Sequence, residues 1–99
     1  MRLSEEEIAE RLVEVPDWAL EDKRIRRRYK FSSFKDAIAF VNQVADSAER
    51  RNHHPFISID FKFVTLELTS WHAGGLTETD FEEAQEFDSL YNGHIRDKA

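Results

Sequence analysis

The stretch Glu49-Arg50-Arg51-Asn52-His53-His54-Pro55 closes the longest amphipathic segment of the chain. A strand-like run follows it and leads into Trp71-His72-Ala73-Gly74-Gly75-Leu76-Thr77-Glu78-Thr79-Asp80. Pro55 prevents the helix from continuing, because proline lacks a backbone N–H and disfavours helical angles in the residue before it. Small domains usually carry their chemistry on polar, titratable groups at the ends of elements. We therefore expect the rest of the chain to bring these two ends together.

The N-terminal third predicts a short helix followed by a β-hairpin. Ser4 can cap the helix with Glu7 as its capping-box partner, and Pro16 ends the helix by residue 15. Apolar residues alternate with polar ones between Trp18 and Phe31, and a polar turn at residues 21–23 divides this run. Alternation with aromatic residues is typical of strands.

The second half predicts a long helix, two strands and a last helix. Ser33 caps a helix that runs to Arg51, with its apolar stripe at Phe34, Ala37, Ile38, Val41, Val44, Ala45 and Ala48. Residues 56–71 contain two alternating runs whose joint, at residues 60–62, has no glycine, so both a tight hairpin and one bent strand remain open. Thr77 caps the last helix with Asp80 as its box partner, Leu76 and Phe81 form a hydrophobic staple, and Asn92-Gly93 ends the helix before an irregular tail to Ala99.

The order α-β-β-α-β-β-α predicts an α+β two-layer sandwich, an antiparallel four-stranded sheet with three helices on one face. The 99 residues suit one domain spanning 1–99. An edge strand on so small a sheet favours pairing across a two-fold axis, so we expect a homodimer, with a homotetramer as the alternative.

Composition narrows the class of protein. The formal net charge of −6 argues against nucleic acid as the main partner. Cysteine is absent, so neither disulfides nor thiolate metal sites are expected. No apolar run approaches the ~18–20 residues that span a membrane, and the acidic N-terminus lacks a signal-peptide core. We expect a cytoplasmic protein without a membrane partner.

One strand is strongly basic. Arg24, Arg26, Arg28 and Lys30 occupy one face of the predicted second strand, and Arg27 lies among the apolar positions. Two interpretations remain: a solvated face that pairs with the acidic helices, and a patch that binds anions or nucleic acid. We favour the first.

The paired histidines are candidates for acid–base chemistry. Imidazole titrates near neutral pH, so His53 and His54 could donate and accept protons. Neighbouring extended side chains point apart and cannot easily hold one metal ion, although His72 could add a ligand; we expect no metal site. The alternative is a helix end that uses imidazolium against the negative end of its dipole.

Three further residues have structural alternatives of their own. Glu49 could be a solvated residue of the last helical turn, Asp80 a capping residue, and Trp71 a strand-end anchor in the core. Together with the histidines, at these spacings, they favour one functional site.

With these residues in place, the sequence resembles the pterin-4a-carbinolamine dehydratase family, whose members are also known as dimerisation cofactors of a homeodomain transcription factor. The family pattern is a charged residue, His-His-Pro, an aromatic residue, His or Trp, and a downstream Asp. This chain supplies it at Glu49, His53, His54, Pro55, Phe61, Trp71 and Asp80. The resemblance extends over residues 12–90 and includes the Ala73-Gly74-Gly75-Leu76-Thr77 segment.

The resemblance implies dehydration of 4a-hydroxytetrahydropterin to quinonoid dihydropterin. This reaction recycles the pterin cofactor of aromatic amino-acid hydroxylases. The dehydration itself needs no metal or cofactor. It implies that His53 is a general acid/base and that His54 binds and orients the pterin. Glu49 and Asp80 would set histidine charge or contact the ring. Trp71, His72 and the backbone of Gly74 and Gly75 would hold the flat heterocycle.

Trp71 departs from the commonest family pattern, which has histidine there, and His72 stands where many members carry aspartate. An indole cannot exchange protons at neutral pH, but it can stack on a ring and donate its N–H. Two functions are therefore expected: a 4a-hydroxytetrahydrobiopterin dehydratase, a hydro-lyase that relies on His53, or a weak or inactive member that acts as a dimerisation or assembly cofactor or transcriptional coactivator. Nucleic-acid binding is the least favoured.

Overall fold

A computed structural model describes the backbone of residues 1–98 and the side chains of residues 1–94. Three α-helices, one 3₁₀ turn and four strands follow one another along the chain. The order is α1 (Glu5–Leu12), β1 (Ala19–Glu21), β2 (Arg24–Lys30), α2 (Phe34–Arg51), β3 (Phe56–Asp60), β4 (Phe63–Leu68), the 3₁₀ turn (Trp71–Ala73) and α3 (Glu78–Lys98). The predicted α+β order is confirmed. No helix within residues 1–98 is long and apolar enough to cross a membrane.

The four strands form one antiparallel sheet in the order β1-β2-β4-β3. The central pair aligns Ile25 with Leu68 and Tyr29 with Val64, and these side chains are buried. Strand β3 pairs only with β4 and forms an edge, with every residue exposed. The segment before β3 and the segment after β4 carry the candidate functional residues. Because the two strands are antiparallel, both segments lie at the same end of this hairpin.

Two turns adopt left-handed backbone without glycine. Asp22 joins β1 to β2 with φ 55°, and Phe61 joins β3 to β4 with φ 54°. Residues 56–68 thus form a tight hairpin, which decides between the two alternatives left by the sequence. A left-handed bulky residue is strained, at a cost of order 1–3 kcal/mol, and persists where the surrounding structure determines it.

Local capping explains where the first two helices begin. Ser4 accepts a hydrogen bond from the N–H of Glu7, and the Glu7 carboxylate accepts one from the N–H of Ser4. This reciprocal pair is the predicted capping box. Ser33 accepts from the N–H of Asp36 at the start of α2, as expected.

The apolar stripe of α2 differs in part from the expected one. Ala37, Val44 and Ala48 are buried as predicted, whereas Phe34 is half-exposed and Ala45 is exposed. Phe40 and Ser47, which the stripe did not include, are fully buried. The buried face is therefore rotated toward Phe40, whose ring packs on Tyr29 at 4.8 Å between centroids.

The predicted end of α3 at Asn92-Gly93 is wrong. The helix continues to Lys98, and Ala99 lies outside the described residues. Glycine inside a helix costs only about 1 kcal/mol relative to alanine, and no proline follows it. The His94 ring packs edge-to-face on Phe31 at 5.4 Å between centroids, which anchors the turn beyond Gly93.

A cluster of charges joins α2 to α3. The carboxylate of Glu86 accepts hydrogen bonds from the Ser47 hydroxyl and from Arg51 at 3.0 and 3.1 Å, with Arg50 at 3.2 Å. The hydrogen bond from Ser47 holds the pKa of Glu86 below its ordinary value, the Arg51 hydrogen bond adds to this, and partial burial opposes both.

The Glu86 carboxylate is expected to stabilise the fold at neutral pH but not in acid. Its pKa is lowered by folding, so its contribution is present above the unfolded value near 4.5 and is lost as pH falls through the folded pKa. Glu86→Gln should therefore be less stable than wild type by about 1 kcal/mol near pH 7, and the gap should close below pH 4. Urea unfolding at several pH values measures this, with Glu82→Gln as the exposed control. A gap that does not change with pH would contradict the prediction.

Candidate active site

The end of α2 turns the two histidines in opposite directions. Asn52 takes a left-handed conformation (φ 52°) after the last helical residue, and the N–H of His53 donates to the carbonyl of Ala48 at 3.1 Å. This geometry satisfies carbonyls that would otherwise lack a partner at the helix end. The side chain of His53 is 12% exposed, whereas that of His54 is 54% exposed.

His53 lies between two carboxylates that are both fully buried. Its Nδ1 is hydrogen-bonded to Glu83 Oε1. Its Nε2 lies 3.0 Å from Ser70 Oγ and 3.4 Å from Asp80 Oδ1. Both ring nitrogens therefore face oxygen atoms supplied by the β4–α3 connection and the first turns of α3.

Asp80 combines a capping role with a contact to His53. Its Oδ2 accepts hydrogen bonds from the N–H of Thr77 and from Ser70 Oγ, each at 2.8 Å. Its other oxygen, Oδ1, is buried without a hydrogen bond and faces His53. The expected reciprocal capping box is half formed, because the N–H of Asp80 donates to the backbone carbonyl of Thr77. Leu76 and Phe81, the proposed staple, are both buried in the core.

Glu83 is the residue of this site that the sequence did not reveal. Burial raises its pKa above the ordinary value, and the hydrogen bond and charge of His53 oppose that rise. A signal was present in the sequence: Glu83 lies three residues after Asp80 and four before Phe87, on the buried side of α3. A carboxylate within a core-facing stripe needs a specific partner, and His53 provides it.

His54 and Glu49 form the rim. Glu49 Oε2 lies 2.5 Å from His54 Nε2, and the two side chains are 76% and 54% exposed. Solvent screens a pair this exposed, so its contribution to stability is small. The contact can nonetheless orient the His54 ring.

Trp71 does not anchor the core. It begins the 3₁₀ turn after β4, is 72% exposed, and packs edge-to-face against Phe56 at 6.0 Å between centroids. The Arg24 guanidinium lies 4.7 Å from the Phe56 ring centre and 5.7 Å from that of Trp71. These three side chains form an exposed aromatic platform beside the histidines.

A cavity of about 380 Å³ joins the histidines to this platform. It is lined by residues from the end of α2, the start of β3 and the β4–α3 connection: Asn52, His53, His54, Pro55, Phe56, Thr69, Trp71 and His72. His72 is exposed at its edge. Among the side chains that the structure describes, residues 1–94, no three of His, Cys, Asp or Glu are grouped so that they could hold a metal ion.

Gly74 and Gly75 lie beside the histidine cavity and not in its wall. They line an adjacent cavity of about 250 Å³ that shares Thr69 and Trp71 with it. Gly74 has φ +74° and ends the 3₁₀ turn. The N–H and carbonyl of Gly75 pair with those of Ser70, which fixes the position of the Ser70 hydroxyl near His53.

The basic strand pairs with acids, as the favoured interpretation predicted, but the acids that contact Arg24 and Arg26 lie on neighbouring strands, whereas acidic helices were expected. Arg24 contacts Glu67 at 3.0 Å, and Arg26 contacts Glu21 at 3.3 Å. Arg27, on the buried side, contacts Asp88 at 2.6 Å.

Most of the chain matches one known protein family. The family model described as pterin 4 alpha carbinolamine dehydratase matches residues 1–90. The chain belongs to this family.

Bacterial relatives of this pterin dehydratase family match along nearly their whole length. A Chloroflexus aurantiacus protein is 51% identical over 89 residues, covering 90% of this chain and 96% of its own. A Picosynechococcus protein is 46% identical over 89 residues, covering 90% and 97%. Both are provisionally named pterin-4-alpha-carbinolamine dehydratase.

Solved structures of the family show the same fold. The Brucella melitensis transcriptional coactivator/pterin dehydratase has a TM-score of 0.89 and 31% identity, covering 92% of this chain and 99% of its own. A pterin dehydratase-like protein described as a RuBisCO assembly factor in the alpha-carboxysome has a TM-score of 0.62 and 23% identity, covering 75% and 86%. At 23% identity, the similarity to this second structure shows a shared fold and nothing more.

Proposed function

We propose that this protein is a 4a-hydroxytetrahydrobiopterin dehydratase, a hydro-lyase that removes water from pterin-4a-carbinolamine. The observation that carries the proposal is a largely buried imidazole, His53, held between two buried carboxylates at the wall of a cavity. An imidazole held by hydrogen bonds at the wall of a cleft is a candidate general acid or base. Membership of the family supports a pterin carbinolamine as the substrate.

His53 can perform both proton transfers of the reaction. As an acid it gives its Nε2 proton to the departing 4a-hydroxyl, which takes the place of Ser70 Oγ as the partner of Nε2 and leaves as water. As the resulting neutral base it takes the proton of the ring N–H, which yields the quinonoid dihydropterin and restores the imidazolium. The sum is the loss of one water molecule, and the reaction needs no further cofactor. Acid–base catalysis of this kind typically contributes ~10²–10⁴-fold.

The aromatic platform and the rim supply binding. Trp71 presents an exposed indole face, which suits stacking on a flat heterocycle and contributes ~1–3 kcal/mol where bases stack on aromatic side chains. His54, oriented by Glu49, can hydrogen-bond the pterin edge. We place His72 at the cavity edge as a further contact, and Gly74 and Gly75 along the adjoining cavity as backbone contacts to the heterocycle.

Restoring an imidazole at the Trp71 position is expected to raise the rate. Trp71→His adds a second group that can exchange protons beside the same cavity. We expect kcat to rise by about 10-fold and KM to rise as well, because the indole face is lost. Stopped-flow conversion of freshly made 4a-hydroxytetrahydropterin measures both constants.

The same experiment tests the proposed function. Wild-type protein should accelerate the conversion, and Trp71→Phe, which keeps an aromatic face without an imidazole, should retain the wild-type kcat. If wild type binds the pterin but does not accelerate its dehydration, the dehydratase proposal fails.

A dimerisation or assembly cofactor is the second candidate. Strand β3 and its turn expose Phe56, Ile57, Ile59 and Phe61 on a free sheet edge, a surface suited to pairing with another chain. The Brucella structure is described as a coactivator as well as a dehydratase. We propose a homodimer, with a homotetramer as the alternative; sedimentation of wild type and Ile59→Lys tests whether β3 forms the interface.

A further inference from the structure

Glu83 has no part in the proton transfers proposed above, yet it is fully buried. Burying an ionised carboxylate is costly unless it is paired and hydrogen-bonded. One of its oxygens bonds to His53 Nδ1, and the other, Oε2, is buried without a hydrogen-bond partner. His53 is therefore the group that accounts for a carboxylate at this position.

Charged and polar groups from two helices and a loop surround His53. Helix α3 supplies two carboxylates, Asp80 and Glu83, and the loop before it supplies the hydroxyls of Ser70 and Thr77. Helix α2 supplies Arg51, whose guanidinium bonds to Glu82 and Glu86. The imidazole of His53 is in direct contact with both buried acids.

The hydrogen bonds also indicate where the protons of the ring lie. Ser70 Oγ donates its hydrogen to Asp80 Oδ2, so toward His53 Nε2 it presents a lone pair and accepts. Nε2 therefore carries a hydrogen. Nδ1 faces a carboxylate oxygen, so a proton is shared between these two atoms. These contacts indicate a hydrogen on Nε2 and a proton between Nδ1 and Glu83.

We infer that Glu83 is the positioning residue of His53, which orients the ring and retains the proton on its Nδ1. The kinetic consequence rests on the proposed dehydratase activity, whereas the effect on the ring does not. In this chain Trp71 stands at the position of the third histidine of the family motif. The buried Glu83 carboxylate on α3 thereby keeps a proton available on His53 for the departing hydroxyl.

Glu83→Gln tests the charge, because the amide keeps the shape and an acceptor oxygen but cannot hold a carboxylate's proton. ¹⁵N NMR of histidine-labelled protein near pH 7 reports the hydrogens on both ring nitrogens of His53. We expect two protonated nitrogens in wild type and one in Glu83→Gln. Glu83→Leu, which removes the acceptor as well, should also loosen the ring orientation. Glu82→Gln, on the exposed side of α3, is the matched control and should leave the ring unchanged.

Kinetics supply the second readout. We expect Glu83→Gln to lower kcat by about 10- to 100-fold, the loss that follows removal of a partner that orients a histidine in metal enzymes, with KM changed less than about twofold. An unchanged ring spectrum in Glu83→Gln would overturn the inference whether or not the wild type is active. An inactive wild type with an altered Glu83→Gln spectrum would reject the dehydratase and keep the inference.

Discussion

Replacing His53 should remove most of the acceleration of carbinolamine dehydration, lowering kcat by ~10²–10⁴-fold. The imidazole is the group in the cavity wall that contacts both buried carboxylates, and the proposed reaction routes both proton transfers through it. His54 is more exposed and bonded to Glu49, so it is not placed to take over that role. Stopped-flow conversion of 4a-hydroxytetrahydropterin measures the loss.

The choice of variant matters because His53 also compensates buried charge. His53→Ala leaves Asp80 and Glu83 facing a void, so the protein should be less stable. His53→Gln keeps an amide that can bond one of the two carboxylates, and it should remain folded by circular dichroism while losing activity. Glu82→Gln changes an exposed residue that does not line the cavity and serves as the control. Full activity in a folded His53→Gln protein would contradict the mechanism.

The second large effect is expected at Asp88, far from any proposed proton transfer. One of its oxygens, Oδ1, accepts hydrogen bonds from Trp18 Nε1 at 3.0 Å, Arg27 Nη1 at 2.6 Å and the Tyr29 hydroxyl at 2.6 Å. Burial, with Asp88 beside the hydroxyl, raises the pKa of Tyr29. Asp88 therefore ties the hairpin and the segment before it to α3.

Asp88→Ala should destabilise the protein by about 3 kcal/mol, the lower end of the cost of removing one partner from a buried ion pair. The substitution leaves a guanidinium, a hydroxyl and an indole N–H without their shared acceptor, in a site where the Asp88 side chain is only 19% exposed. Urea unfolding measures it, and Asp17→Ala is the control. Asp17 lies 3.6 Å from the same Arg27 but is 68% exposed, so its removal should cost less than about 1 kcal/mol. Equal losses in both variants would show that burial does not set the cost.

Local signals in the sequence were sufficient for most of the fold. Capping at Ser4 and Ser33, the break at Pro55 and the alternation of the strands each act over a few residues, and each appears in the structure. The family pattern likewise brought His53 and Asp80 to one place. Contacts that join elements distant in the chain were harder to predict from the sequence. The sequence analysis did not single out Glu83, because the partner that explains its burial lies thirty residues away.

The remaining errors have the same cause. The rotation of α2 that buries Phe40 depends on the sheet and on Tyr29, and the extension of α3 past Gly93 depends on Phe31. In each case a tertiary contact outweighs a propensity worth about 1 kcal/mol or less. Whether Gly74 and Gly75 contact a ligand stays a prediction.

In the order β1-β2-β4-β3, each outer hairpin can form from residues close together in the chain, whereas the central pair cannot. Joining Ile25 to Leu68 and Tyr29 to Val64 requires α2 and β3 to be looped out first. Non-local pairing of this kind delays folding, because the entropy of closing the loop is lost before the contacts form. The chain should therefore acquire its hairpins early. The β3–β4 hairpin already brings the segments of His53 and Ser70 together, whereas the contacts of Arg27 and Tyr29 with Asp88 form only after the central ladder has closed.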